Sequence, residues 1–151
     1  MHTIRPATEA DAVAIAQQRV NMFQDNDLRC VASWDELEKA SVGWLRAHLQ
    51  AGSYAGWIVE EDGSPAGGAG VWFMEWPPHF LHLEPVRGYL LNFYVTPSVR
   101  GRGIAKELVG LAVDECKRRG VKVAVLHASG MGRPVYEALG WKPGNEMTLD
   151  I

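Results

Sequence analysis

Cysteine, net charge and long apolar runs are all scarce in this sequence, and each shortage argues against a class of protein. Cys30 and Cys116 are the only cysteines among 151 residues, and they fit neither a disulfide framework nor a zinc site. The formal net charge is −3, whereas a nucleic-acid binder normally presents a basic face. No apolar run approaches the roughly 20 residues that a membrane-spanning helix needs. We therefore expect no metal, no nucleic acid and no membrane among the ligands and partners.

The chain also lacks the marks of a targeting segment or of several domains. Its first residues have neither the basic start nor the unbroken apolar core of a signal peptide, so we expect a cytoplasmic protein. The sequence contains no repeat, linker or low-complexity segment, and its length suits one packed core. We predict a single domain over residues 1–151. Cys116 continues the apolar face of a predicted helix and is interpreted as a core residue, whereas Cys30 lies in a polar stretch.

The hydrophobic pattern predicts the element order β-α-α-β-β-β-α-β-α-β. Thr8 with Asp11 and Ser33 with Glu36 form helix-starting signals, and Gly52 ends the second helix. The predicted strands are His2–Arg5, two strands around an Asp62–Gly63 turn, Gly88–Val95, Val121–His127 and Trp141–Ile151, and the later helices are Gly103–Arg119 and Arg133–Leu139. Hairpins mixed with a parallel crossover indicate an α+β (mixed α/β) fold with helices on both faces.

One turn, in the stretch VTPSVRGRGIAKELVGLA (residues 95–112), carries a chemical signal. The start of a helix leaves backbone N–H groups free and carries a partial positive charge. Glycines let a ligand approach the backbone closely, and Arg100 and Arg102 add positive charge. The turn therefore predicts a phosphate site. If this turn is considered alone, a glycine-rich loop with two solvated arginines and no ligand is an equally good interpretation.

Two common phosphate motifs do not describe this turn. The sequence contains no GxxxxGK[ST], so it has no P-loop. In the string GRGIAK, Lys106 stands where a dinucleotide fingerprint needs its third glycine, and no acidic residue follows at the usual distance.

The segment Leu90–Trp141 resembles the GCN5-related N-acetyltransferase (GNAT) family in three linked features. RGRGIA matches that family's R/Q-x-x-G-x-G/A pyrophosphate signature through Arg100, Gly103 and Ala105. NFYVTPSV is similar to the family's fourth strand and turn. VLHASGMGRPVYEALGW is similar to its fifth strand and the Y-E-x-L-G-F/W signature that begins here at Tyr136. The resemblance implies a mostly antiparallel central sheet whose fourth and fifth strands splay apart.

The resemblance also implies acetyl-CoA as the acyl donor and an amine of a small molecule or peptide as the acceptor. It assigns the pyrophosphate to the backbone amides of six consecutive residues, Arg100, Gly101, Arg102, Gly103, Ile104 and Ala105. The main chain of Phe93, Tyr94 and Val95 would pair with pantetheine, and an amide near Phe93 or Tyr94 would polarise the thioester carbonyl. Ser129 stands where the family often has an asparagine and could give pantetheine one hydrogen bond.

The resemblance makes Tyr136 the candidate general acid for the departing thiolate. With a pKa of about 10, a phenol protonates a thiolate whose acid has a pKa of about 8.5 only slightly uphill. A tyrosine that only anchors the short helix is the alternative. Some relatives use a glutamate of the fourth strand as base, but no acid lies between Gly88 and Val95. The candidates for the base are Glu75, His79, His82, Glu84 or water.

The acceptor side is expected between the first two helices and the loop before the fourth strand. Those regions supply Met22, Phe23, Asp25, Asp27, Trp72, Trp76, His79 and Phe80. Aromatics with a few acids suit a small amine with an apolar body. The same aromatics also suit core packing or a homodimer interface. Because the strand glutamate is missing, a non-catalytic acyl-CoA-binding regulatory module is the alternative function.

Overall fold

In the computed structural model, which describes residues 1–151, a five-stranded sheet carries helices on both of its faces. The strands lie in chain order, β1-β2-β3-β4-β5; the first four are antiparallel, and β5 runs parallel to β4. The elements are β1 His2–Pro6, α1 Ala12–Asp25, α2 Trp34–Ala51, β2 Tyr54–Glu61, β3 Ser64–Glu75, β4 Val86–Val95, α3 Ile104–Arg118, β5 Ala124–Leu126 and α4 Arg133–Ala138. This architecture confirms the predicted fold class and the parallel crossover.

The predicted helix-starting signals form as expected. The Glu36 N–H donates to Ser33 Oγ at 3.1 Å, and the Ser33 N–H donates to Glu36 Oε2 at 2.9 Å. The Thr8 N–H donates to Asp11 Oδ2 at 2.7 Å, at the start of a short 3-10 turn that leads into α1. Each pair satisfies donors that a helix start would leave free.

The β2–β3 hairpin turns at Asp62 and Gly63, which have φ values of 51° and 78°. Two successive residues with positive φ are typical of the type I′ turn, whose twist matches that of paired strands. The predicted hairpin is therefore confirmed.

The core is divided between the two faces of the sheet. Under α1 and α2 the buried residues are Ala12, Ile15, Ala16, Leu45, Tyr54 and Ile58. Under α3 they are Val59, Ala66, Ala69, Val99, Ile104, Leu108, Val71, Leu90, Ala112 and Cys116. Cys116 is 5% exposed, which confirms its interpretation as a core residue.

β4 changes its neighbours along its length. Its first half pairs with β5 through Gly88–Leu90 and Ala124–Leu126, and beyond Leu90 the two strands no longer pair. On the other side, the register between β3 and β4 shifts between Gly68 and Gly70, opposite Asn92, which has a φ of 60°. Such a bulge bends a strand, and the bend falls where β4 stops pairing with β5. The predicted splay is present.

The predicted last strand, Trp141–Ile151, is wrong. No strand forms there, and every residue from Lys142 onward is exposed. The alternation of Met147, Leu149 and Ile151 suggested a half-buried strand, but a strand needs a partner edge. β5 is only three residues long, and Pro143 has no N–H to donate to a ladder.

The loop between β3 and β4 exposes a group of large apolar side chains, Phe80, Leu81 and Leu83. Their exposed fractions are 87%, 65% and 77%. Such a group suits a contact with another protein surface, and the homodimer stays a prediction. No helix has the length and apolar character needed to cross a bilayer.

Candidate functional site

The turn before α3 presents unpaired backbone donors to open space. Gly101 and Gly103 have φ values of 78° and 80°, and a Cβ on either residue would meet no atom within 4 Å. The N–H groups of Gly101, Arg102 and Gly103 donate to no other atom of the protein. The next three N–H groups, Ile104 to Lys106, belong to a first helical turn, which has no intrahelical acceptor. The turn therefore offers a row of donors at a helix start.

The two arginine side chains of this turn are already paired within the protein. Arg100 Nη2 lies 2.5 Å from Asp25 Oδ2, and its Nε donates to the Val95 carbonyl at 2.8 Å. Arg102 Nη1 donates to Glu61 Oε1 at 2.9 Å, and this bond holds the pKa of Glu61 below its usual value. The sequence suggested free positive charge, whereas here each guanidinium is balanced by a carboxylate. The free donors of the turn belong to its main chain.

The second half of β4 has one unpaired edge. Phe93, Tyr94 and Val95 lie beyond the last residue that pairs with β5, while Tyr94 and Val95 pair with Gly68 and Gly67 of β3. An extended ligand can add to such an edge through main-chain hydrogen bonds. Thr96 and a short 3-10 turn, Pro97–Val99, connect this edge to the turn at residues 100–103. The Val95 carbonyl already accepts from Arg100 Nε, so this bond ties the end of the strand to the turn.

Tyr136 of α4 lies against this edge. Its ring meets the Phe93 ring edge-on at 6.2 Å and the Trp141 ring at 6.0 Å between centroids. Its hydroxyl makes no hydrogen bond within the protein, and burial raises the pKa of Tyr136 to about 12. The phenol is therefore protonated at neutral pH, and its O–H group is free to donate a hydrogen bond.

Ser129 lies at the turn between β5 and α4. Its Oγ accepts a hydrogen bond from the Gly132 N–H at 3.0 Å, and its carbonyl accepts one from the Arg133 N–H at 2.9 Å. Because Oγ acts as an acceptor there, its own O–H is left to donate to another group.

Four predicted base candidates lie at the opposite end of β4. Glu75 pairs with Val86, the first residue of that strand, and His79 and His82 form a turn through two backbone hydrogen bonds. Phe93 lies seven residues further along β4, which is about 23 Å at 3.3 Å per residue. These two histidines and Glu84 line a small pocket with Trp76, Arg87 and Lys122.

A polar cluster that the sequence did not predict connects α1, β2 and β4. Asn92 accepts from Arg19 Nη1 at 2.8 Å through Oδ1, and its Nδ2 donates to Tyr54 Oη at 3.1 Å. Tyr54 is 2% exposed, and burial raises its pKa to about 12. The sequence indicated only that Asn92 is a polar residue in an apolar strand, whose role was either a core hydrogen bond or the orientation of substrate. It did not indicate the partners.

A second group of polar side chains lies where β4 and β5 begin to separate. The hydroxyl of Tyr89 contacts Nδ1 of His127, and His127 Nε2 lies 3.0 Å from Glu146 Oε1. Burial raises the pKa of Tyr89, the charge of Glu146 adds to this effect, and the charge of Arg19 opposes it. The imidazole of His127 therefore lies beside Tyr89 of β4.

The predicted acceptor-side residues contact several different partners. Asp25 is bound to Arg100, and Trp76 stacks under Arg87 at 3.9 Å. Trp72 packs among aromatic rings, as one interpretation of it predicted; its neighbours are Trp44, His48 and Tyr89. Phe23 lies under the Arg19 guanidinium at 4.8 Å, next to the Asn92 cluster.

Comparisons with known proteins agree with this geometry. The model of the acetyltransferase (GNAT) family matches residues 18–141. Over 98 residues the chain is 28% identical to an uncharacterized N-acetyltransferase, YjgM, of Escherichia coli (strain K12), an alignment that covers 59% of this chain. The matched part is 52% of YjgM, so the chain spans about half the length of that relative.

Two crystal structures share the fold over the whole chain. A GCN5-related N-acetyltransferase from Ralstonia eutropha JMP134 is 40% identical, with a TM-score of 0.93 and coverage of 100% of this chain and 99% of that chain. A predicted acetyltransferase from Clostridium acetobutylicum, solved with acetyl-CoA, is 27% identical, with a TM-score of 0.92 and coverage of 100% and 96%. With a family model that covers most of its length and these relatives, the chain belongs to the acetyltransferase (GNAT) family.

Proposed function

We propose that this protein transfers the acetyl group of acetyl-CoA to the amine of a small molecule or peptide. The observation that carries the proposal is the row of free backbone donors at residues 101–106, which follows the unpaired edge of β4 after one short turn. A diphosphate fits the first feature, and an extended pantetheine arm fits the second. The relative from Clostridium acetobutylicum, whose structure contains acetyl-CoA, supports the same donor.

The backbone is the main binding element for the donor. The amides from Gly101 to Ala105 would hold the pyrophosphate, with the N-terminal end of α3 supplying a favourable dipole. The Arg100 amide contributes less, because it already donates to the Pro97 carbonyl at 3.4 Å. Phe93, Tyr94 and Val95 would pair with pantetheine through their main chain, and the Ser129 hydroxyl would add one hydrogen bond.

Acyl transfer needs a hydrogen-bond donor for the thioester oxygen and a proton for the departing sulfur. An amide near Phe93 or Tyr94 serves the oxygen. The Tyr136 hydroxyl serves the sulfur, since it is protonated and has no competing acceptor. With a pKa of about 12, a complete proton transfer to a thiolate whose acid has a pKa of about 8.5 is uphill by roughly 5 kcal/mol. Tyr136 therefore hydrogen-bonds the sulfur while the C–S bond breaks, and its proton moves to the sulfur as solvent returns one to the phenol oxygen.

The attacking amine must lose a proton before it can react. Among the titratable groups discussed above, His127 lies at the separation of β4 and β5, whereas the loop candidates lie at the far end of β4. Imidazole is the side chain that most often acts as a general base. We assign this role to His127 acting through Tyr89: the Tyr89 hydroxyl takes the proton of the amine as it passes its own proton to Nδ1, and Glu146 holds the other ring nitrogen, Nε2.

A thiol-release assay with acetyl-CoA and a panel of amines, amino acids, polyamines and peptides tests the function. The proposal predicts that CoA release depends on at least one amine and that mass spectrometry finds the matching acetylated amine. Tight binding of acetyl-CoA without turnover of any amine would overturn it in favour of an acyl-CoA-binding regulatory module.

A further inference from the structure

We propose that Arg19 binds a carboxylate of the acceptor, so that the acceptor is an amino acid or a similarly small amine with its own carboxylate. The inference rests on the proposed acetyl transfer and names the substrate class of that same site. It begins from the four arginines that form no ion pair: Arg19 and Arg87 are the partly buried ones, and Arg19 alone of the four bonds to the second half of β4. Six arginines pair with carboxylates within the protein: Arg5, Arg100, Arg102, Arg118, Arg119 and Arg133.

Arg19 has no such partner although it is partly buried. No carboxylate lies within 4 Å of its guanidinium, which rests over the Phe23 ring and donates one hydrogen bond, to Asn92. Burial lowers the pKa of Arg19, while the nearby hydroxyls of Tyr54 and Tyr89 oppose that change. A guanidinium remains charged in proteins and has five N–H donors, so most of its hydrogen-bonding capacity is unused. Burial of a charge is costly unless the charge is paired.

The position of Arg19 connects this free charge with the proposed reaction. Its partner Asn92 immediately precedes Phe93, and consecutive Cα atoms are about 3.8 Å apart. Asn92 itself has a φ of 60°, in a region that non-glycine residues rarely adopt. Its side chain accepts a hydrogen bond from Arg19 and donates one to Tyr54, and these two bonds hold it there. The strained residue thus joins the cation to the strand segment that would bind the acyl group. An anion on Arg19 would lie close to the thioester.

The charge of this site suits one carboxylate. The planar guanidinium matches a carboxylate through two parallel N–H···O bonds. A doubly charged phosphate would leave negative charge uncompensated in a half-buried place that holds one cation. The neighbouring Trp72, Tyr89 and Phe23 rings suit an apolar body between the carboxylate and the protein.

Matched acceptor pairs test the assignment. Each amino acid of a panel is compared with its own carboxamide, which keeps the amine and side chain but has no negative charge. With wild-type protein, kcat/KM for the best carboxylate should exceed that of its amide by about 10- to 100-fold. Arg19→Gln should abolish this preference, so that the carboxylate and its amide are used equally well. Arg46→Gln is the control, because Arg46 is an exposed arginine of α2 without an ion pair, and it should keep the preference.

Calorimetry of the same pairs against the protein with CoA gives a second readout that does not need turnover, and Arg19→Lys provides a variant that keeps the charge if Arg19→Gln does not fold. Equal use and equal binding of carboxylates and amides by wild-type protein would overturn the inference. So would a preference for O-phosphoethanolamine over ethanolamine without any preference for carboxylates. Turnover of neutral amines with no carboxylate preference would overturn the role of Arg19 and leave the proposed acetyl transfer intact. Carboxylate binding without any acetylation would contradict the acetyl transfer and support carboxylate binding by Arg19.

Discussion

The rings of Tyr136 and Phe93 meet edge to face, with 6.2 Å between their centroids and 83° between their planes. The contact joins α4 to the unpaired edge of β4, so it brings the proposed acid next to the proposed carbonyl-binding amide. The hydroxyl of Tyr136 takes no part in this packing. Its chemical and structural roles are therefore separable by one substitution.

Tyr136→Phe should lower kcat by about 10²- to 10⁴-fold, because it removes the proposed proton donor. The ring contacts with Phe93 and Trp141 remain, and no internal hydrogen bond is lost. We therefore expect the melting temperature and the affinity for acetyl-CoA to stay almost unchanged. Steady-state kinetics and thermal unfolding on one preparation check this. A near-normal kcat would remove Tyr136 from the mechanism and leave water as the proton source.

Gly103→Ala should weaken acetyl-CoA binding by about 10-fold or more, because its Cβ would point into the open space where the diphosphate is proposed to lie. Positive φ costs any L residue about 1–2 kcal/mol, so backbone strain needs a control. Gly52→Ala supplies it, since Gly52 has a φ of 74° and open space at the far end of α2. Calorimetry with both folded variants is the measurement. Equal affinities would contradict the proposed phosphate site.

His127→Gln should lower kcat by about 10²- to 10⁴-fold if its imidazole removes the proton from the amine through Tyr89. The reason is its position beside Tyr89, at the separation of β4 and β5. The same kinetic measurements on His79→Gln and His82→Gln test whether a histidine of the β3–β4 loop is the base instead. A loss confined to either loop variant would assign the base to the β3–β4 loop, as the sequence suggested.

Two alanine substitutions of glycine should change stability in opposite directions. At Gly70 a Cβ would collide with the hydroxyl of Tyr54, so Gly70→Ala should destabilise the protein by about 1–3 kcal/mol. Gly43 lies inside α2, and a methyl group there would meet no atom within 4 Å, so Gly43→Ala should stabilise by about 0.5–1 kcal/mol. Denaturant unfolding of both variants gives the two free energies. Stabilisation by Gly70→Ala would show that the Tyr54–Gly70 contact is not tight, and destabilisation by Gly43→Ala would show that α2 has no room for the methyl group.

Acid should destabilise the fold through two carboxylates. Hydrogen bonds from Arg5 lower the pKa of Asp11 from 3.8 to about 2, and bonds from Arg118 and Arg119 lower that of Glu115 from 4.5 to about 2. The unfolded chain then binds more protons in this window, so stability is fully present above about pH 5 and falls as the pH approaches 2. The loss should be about 2–3 kcal/mol after allowance for solvent screening. Asp11→Asn and Glu115→Gln should each reduce this pH dependence, which denaturant unfolding from pH 2.5 to 6 measures. If the slope of the unfolding free energy against pH stayed unchanged in both variants, the two ion pairs would be contradicted.

The sequence predicted those features whose signals are local. Ser33 with Glu36, the Asp62–Gly63 turn and the apolar face of α3 each depend on residues a few positions apart. The glycine turn before α3 belongs to the same group, because its glycines adopt positive φ within one loop, and phosphate binding there stays a prediction.

The remaining features depend on contacts between distant parts of the chain. Arg100 pairs with Asp25, 75 positions away, and Arg19 with Asn92, 73 positions away. The hydrophobic periodicity of a sequence does not indicate contacts between residues so far apart in the chain. The predicted strand at Trp141–Ile151 failed for a related reason, since its pattern could not show that β5 is too short to serve as its partner.

The central claim is that the acetyl group passes directly from acetyl-CoA to the amine within one site. The most direct measurement follows an isotopically labelled acetyl group by mass spectrometry, with the best amine of the panel present or absent. The account predicts labelled acetyl-amine and free CoA in equal amounts, formed only when the amine is present, and no label on the protein itself. Label retained on the protein in the absence of amine, or bound acetyl-CoA that no amine consumes, would contradict it.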